Sequence, residues 1–171
     1  MKQKKAKLSL MFVLVALTLV PLLVASVIIT VRAVASVQNM ALAQIESKLH
    51  GACEIASKHF SEIASSGDGT YVLADDVLTI GGVAQVYPDD DFFASAGSED
   101  IYLTLFIGDT RYGTSIKDAS GKLVVGTKAS DAVIAEVLKG GNTKFIEHVE
   151  IVGQDFSGYY MPLKDGSGAT V

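Results

Sequence analysis

"LFIGDTRYGTSI", Leu105 to Ile116, is the stretch that decides the fold. An apolar run meets a glycine and a short polar corner, and a second β-type run follows. That pattern predicts two antiparallel strands joined by a tight turn. Arg111 stands inside the second strand, and an arginine there has two readings. It is a structural ion pair with Asp109 or another carboxylate at the sheet edge, or it is the clamp for an anion, because the guanidinium fork matches a carboxylate bidentately. Residues two apart on a strand share a face, so Arg111 goes with Gly113, and Tyr112 with Thr114. Arg111 and Thr114 reach one ligand only if a bulge or turn intervenes, which Gly113 permits.

Outward from this pair the period stays short. Upstream, "YVLADDVLTIGGVAQVY" (71–87) reads as two β-type runs about Gly81-Gly82, a hairpin signal. "PDDDFFASAGSED" (88–100) reads as a loop with a short helix. Downstream, "DASG" (118–121) is a turn and "KLVVG" (122–126) another strand. "KASDAVIAEVLKGG" (128–141) is a helix capped by Ser130 and stopped at Gly140. "TKFIEHVEIV" (143–152) and "SGYYMPLKD" (157–165) are two more strands, "GSG" (166–168) is a turn, and 169–171 open a final strand. No internal repeat and no low-complexity tail is evident.

The N-terminal part obeys a different period. Leu8 to Val31 carries no charge over 24 residues. At ~1.5 Å per residue this spans about 36 Å, enough for a ~30 Å hydrocarbon core. Lys2, Lys4, Lys5 and Lys7 precede it and only Arg32 follows closely, so the positive-inside rule puts the N-terminus in the cytoplasm and the rest outside. "AVA" (33–35) resembles a signal cleavage site, but the apolar run is too long for a signal core, which favours an anchor. Val37, Ala41, Ile45, Leu49, Ala52, Ala56, Phe60 and Ile63 then continue at three- and four-residue steps, which predicts one helix to about Ser65, ended by "SSGDGT". Its apolar stripe needs a cover, either the following domain or a second copy of the helix in a homodimer.

The expected organisation is a cytoplasmic N-terminus (1–7), a transmembrane helix (8–31), a long juxtamembrane helix (32–66) and an outer domain (67–171). The class is α+β: an antiparallel sheet of five or six strands with short helices, packed on the long helix. After Arg32 come 9 Lys or Arg against 19 Asp and Glu, a balance of 9 − 19 = −10. Such a surface argues against nucleic acid and leaves an anionic ligand dependent on a local cation. Cys53 stands alone, so no internal disulfide is available, and it reads as a small buried helix residue.

No catalytic constellation is evident, and the chain reads as a non-enzyme without metal or other cofactor. His50 and His59 are nine apart on the helix and His148 lies in a strand, not a metal-ligand spacing. Asp89, Asp90 and Asp91 lack the alternation of a calcium loop and read as a solvated acidic loop. Lys128 and Lys164 read as solvated.

"GDTRYGTSI", "GKLVVGTKAS" and "GYYMPLKDGSG" together resemble the extracytoplasmic single Cache sensor domains of bacterial methyl-accepting chemotaxis proteins. The resemblance covers roughly Ala35 to Val171 and matches the order of lysines, membrane helix, juxtamembrane helix and sheet. It implies a PAS-like sheet, a pocket for a small molecule such as a carboxylate, an amino acid or a related metabolite, dimeric action, and a place in the bacterial inner membrane. It further implies a second membrane helix and a signalling region, neither of which this sequence contains. The similar PAS-like domains of citrate and C4-dicarboxylate sensor kinases carry an arginine followed three residues later by a hydrogen-bonding side chain. Arg111 and Thr114 match that spacing, with Thr in place of His. The ligand-site residues so expected are Arg111, Thr114, Tyr112, Tyr159 and Tyr87, with one of Tyr159 and Tyr160 on the pocket side. A histidine kinase or cyclic-dinucleotide enzyme output, or a membrane-tethered module without ligand, are the alternatives.

Overall fold

The structure is a computed structural model that describes residues 10–75, 77–85, 92–93 and 100–171. Contacts divide the chain into two units, Met1–Ala43 and Gln44–Val171. Helix α1 runs Leu10–Ser65, ending where the stripe and "SSGDGT" predict. Its apolar part is not buried and is long and apolar enough to cross a membrane.

The second unit is the α+β domain. Its strands are β1 (Tyr71–Ala74), β2 (Val77–Ile80), β3 (Val83–Gln85), β4 (Thr104–Ile107), β5 (Thr110–Thr114), β6 (Lys144–Ile151) and β7 (Gln154–Tyr160). All pair antiparallel, in three ladders rather than one sheet: β1-β2-β3, β4-β5 and β6-β7. The Gly81-Gly82 hairpin is present, with Ile80 opposite Val83. A second reversal, with Ala74 opposite Val77, splits the upstream run in two.

The expected strand at 122–126 does not form. That segment crosses beside β5 and spends its backbone groups singly. The Val124 N–H donates to Ile116, the Gly126 N–H to Arg111, and the Arg111 N–H to Thr127. With Gly126 at φ +77 the chain turns out of strand geometry before a ladder can extend. The helix near 130 begins as expected, with the Ser130 Oγ accepting from the Val133 N–H. It is α-helical only over Asp131–Val133 (α2) and continues as a π-helix over Ile134–Lys139 up to Gly140. The expected helix within 88–100 lies mostly outside the described residues; of the described ones there, Phe92 and Phe93 are helical and Asp100 is in a turn.

The core joins the helix to the sheets. Ala56, Phe60 and Ala64 from α1 pack with Leu78, Ile80, Phe93, Leu103 and Leu105. At ~25 cal/mol per Å² these apolar contacts dominate the stability of the unit. The stripe therefore finds its cover, from residue 56 onward, in the domain that follows it.

One repeat escaped the sequence reading. Residues 116–124 (IKDASGKLV) and 163–171 (LKDGSGATV) form the same turn. In the first, Asp118 Oδ1 accepts from the Ser120 N–H, the Ser120 hydroxyl and the Lys122 N–H, at 2.8, 2.6 and 3.0 Å. In the second, Asp165 Oδ1 accepts from the Ser167 N–H, the Ser167 hydroxyl and the Ala169 N–H, at 2.9, 2.6 and 3.0 Å. These bonds hold both carboxyls below the usual range. A depressed folded pKa gives stability that is present above the unfolded value, ~3.9, and lost as pH falls through the folded value. The melting temperature is therefore expected to hold down to about pH 5 and to fall below pH ~4. In an Asp118→Asn, Asp165→Asn double variant that acid limb becomes shallower. An unchanged limb would show that other carboxylates carry it.

Candidate functional site

The Gln44–Val171 unit encloses a cavity of about 460 Å³. On one side it is walled by α1 from Ile45 to Phe60. The other walls are β4 with the residues before it, the Val133–Leu138 helical turn, the β6-β7 pair through Val149, Ile151 and β7 from Asp155 on, and the residues beyond β7. Ile45, Leu49, Ala52, Ala56 and Phe60 all line it, so the three- and four-residue spacing of the stripe is what supplies one apolar wall. The π-helical turn supplies another through Val137, which is buried. A π-bulge widens the helix locally, a feature frequent at functional sites.

Arg111 lines this cavity from β5 and is only 5% exposed. Its backbone is held on the outer edge, donating to Thr127 and accepting from Gly126, both at 2.8 Å. Its Cζ lies 5.4 Å from the Phe106 ring centroid, a cation–π contact with its own cross-strand partner. Among the described residues the guanidinium has no ion pair and no side-chain hydrogen bond, and its Nε is buried without a partner. Burial lowers its pKa from the ordinary arginine value, but an arginine side chain stays charged in proteins. The ion-pair reading through Asp109 fails, because Asp109 is bound to Lys128 at 2.5 Å and to the Thr110 hydroxyl at 3.1 Å. Lys128 is accordingly exposed but paired.

The bulge that Arg111 and Thr114 required is present. Leu105 faces Gly113 and Phe106 faces Arg111, so Tyr112 is the extra residue on β5. It does not bring Thr114 to the cavity. The Thr114 hydroxyl is buried against Thr104 at 2.8 Å and accepts from the Ile116 N–H at 3.1 Å, and Thr114 is not part of the wall. Tyr112 is elsewhere too: its hydroxyl accepts from the Leu78 N–H at 2.8 Å and ties β5 to β2. Both residues expected at the site thus lie off this cavity: at and beyond the bulge, the hydroxyls of β5 are spent on the neighbouring strands. Tyr87 lies outside the described residues.

Tyr159 does line the cavity, with its ring 5.1 Å from His50 and its carbonyl accepting from the Cys53 thiol at 3.3 Å. Burial pushes that thiol up to about 11, so it is an inert wall residue. Tyr160 lines the cavity as well, although neighbours on a strand point apart, because the lining runs continuously from Asp155 to Leu163 along β7 and past its end. Burial raises the Tyr160 phenol while the Arg111 charge acts to lower it, which places the two groups in electrostatic reach. The Tyr160 ring lies close over Gly158, where a Cβ would come within 2.8 Å of its Cε2. Phe106 is the wall residue that sequence reading missed, since only the bulged register sets it against Arg111.

The chamber is largely apolar, with one buried cation that no carboxylate among the described residues compensates and a phenol on the same wall. Apolar pockets with a few fixed polar groups are the usual form of small-molecule sites. No curated protein and no solved structure matches the chain at a significant level. Residues 89–171, which carry β4 to β7 and Arg111, match the family model of single Cache domain 3, and this segment is therefore similar to a Cache sensor domain.

Proposed function

We propose that this protein is a membrane-anchored sensor that binds a small organic anion at Arg111, in the bacterial inner membrane, as the input part of a chemotaxis receptor. The observation that carries the reading is the buried guanidinium, without a counter-charge among the described residues, on the wall of a 460 Å³ cavity. Such a charge is costly to bury and is retained where a ligand supplies its partner. α1 belongs to the cavity wall and to the core, so closure around a ligand would act on it, and a shift of ~1–2 Å lies within the known range of such signals. The sensor works as a homodimer and faces outward.

Three experiments test this. The full chain in lipid nanodiscs is melted against a panel of small carboxylates, amino acids and purines. A ligand at ~100 times its Kd adds about 2.7 kcal/mol, a shift of several degrees. The shift is expected from carboxylates and is expected to vanish in Arg111→Ala. A shift that survives in the variant removes Arg111 from the site, and no shift across the panel removes direct sensing. Orientation is read from alkaline phosphatase fused after Val171, which is expected to be active, since the enzyme matures only outside the cytoplasm. An inactive fusion would reverse the topology. A strain lacking the protein is expected to lose chemotaxis toward the ligand; unchanged swimming with altered transcription would move the output to a histidine kinase.

A further inference from the structure

We infer that the cavity is built for an organic acid with a single negative charge and an apolar body, its carboxylate on Arg111, and that it discriminates against dicarboxylates and α-amino acids. This rests on the reading of the cavity as a ligand site and specifies what that site accepts.

The charges on the wall argue for it. Arg111 is the only cation among the described lining residues, with no lysine and no histidine beside it. Two carboxylates line the cavity, Asp100 and Asp155, and both belong to exposed residues. Asp155 already faces His148 at 2.8 Å. A ligand carboxylate seated on Arg111 neutralises its buried charge. The second carboxylate of a dianion would find apolar wall or two acidic side chains, and either raises its energy. An α-ammonium sits next to its own carboxylate and would be carried toward the guanidinium. No aspartate or glutamate among the described residues contacts Arg111 to receive it, so the like charges repel.

The uncharged wall argues for the rest of the molecule. Leu49, Ala52, Ala56, Val133 and Val137 present aliphatic surface. At ~30 Å³ per liquid water the volume corresponds to on the order of fifteen waters, so a two-carbon acid would leave most of the wall wet. A chain of several carbons covers that wall and gains ~0.8 kcal/mol for each buried methylene.

Three six-carbon probes separate these classes: hexanoate, adipate, which adds a carboxylate, and norleucine, which adds an ammonium. Each is titrated by calorimetry into the full chain in nanodiscs at pH 7, with empty nanodiscs subtracted for partitioning. Hexanoate is expected to bind, adipate and norleucine to bind at least about tenfold more weakly, and Arg111→Gln to weaken hexanoate by about tenfold or more, the loss expected for a charged hydrogen bond. Adipate or norleucine binding as tightly as hexanoate overturns the ligand class. If Arg111→Gln abolishes that binding too, the site itself still stands. No heat from any probe, or hexanoate binding indifferent to Arg111→Gln, overturns the class and the site together. Should Arg111→Gln fail to fold, the three probes on the unaltered chain still decide the class.

Discussion

Arg111→Met is expected to raise the melting temperature of the ligand-free Gln44–Val171 unit while removing its response to ligand. The two effects have one origin. Among the described residues of the ligand-free protein, Arg111 is buried, its Nε has no partner, and no carboxylate balances its charge. An unsatisfied buried donor costs ~1–3 kcal/mol, and burying an ion costs several kcal/mol even after relaxation. The contact with Phe106 returns only ~0.5–2 kcal/mol. Methionine keeps the aliphatic volume and its adaptable shape without the charge. Replacing buried charge by apolar side chains of similar volume is often stabilising by ~1–4 kcal/mol. For a unit of this size that is a rise of several degrees. A thermal melt with and without hexanoate reads both effects at once. A lower melting temperature in the variant would mean that the guanidinium is satisfied within the folded protein and holds the sheet together. Arg111 would then be a structural residue.

The second large effect concerns neighbouring glycines. Gly81→Ala is expected to destabilise the unit by ~2–4 kcal/mol, and Gly82→Ala by only ~1 kcal/mol. Both residues have positive φ, +58° and +80°, so both substitutions carry the left-handed strain of a non-glycine residue. Their surroundings differ. A Cβ on Gly81 would lie 2.6 Å from the Ile63 carbonyl oxygen and 2.8 Å from that of Ala64, both in the last turn of α1. A Cβ on Gly82 would meet nothing within 4 Å. Backbone cannot swing aside as a side chain can, so the difference between the variants measures the close approach of helix end and hairpin. The Gly81 N–H also donates to Thr70 at 2.8 Å, which fastens the β2-β3 turn beside the helix terminus. Urea denaturation of the two variants gives the difference directly. Equal losses would mean that the helix end yields and that φ alone matters.

The helix end and the hairpin also mark how far the sequence could be read. A 24-residue run without charge, followed by apolar residues at helical spacing, determined α1 and its end at Ser65, because those signals are local and lie within a few turns. Gly81-Gly82, Ser130 and the β-type runs determined turn, cap and strands for the same reason. The division of the strands into three ladders was not legible, since pairing depends on contacts distant in sequence. Nor was the failure of 122–126 to form a strand, where single backbone bonds to Ile116 and Arg111 outweigh local propensity.

The site divides along the same line. Sequence alone determined that Arg111 sits unusually within a β-strand, in a domain otherwise strongly acidic, and that the α1 stripe needs a cover. The tertiary structure decided which groups share a surface. It paired Asp109 with Lys128, turned Thr114 and Tyr112 toward neighbouring strands, set Phe106 against the guanidinium, and placed Tyr159 and Tyr160 on the wall of the same cavity. The physical reason lies in a single extra residue. A bulge at Tyr112 changes which side chains face which way, and a period-two pattern does not carry that information.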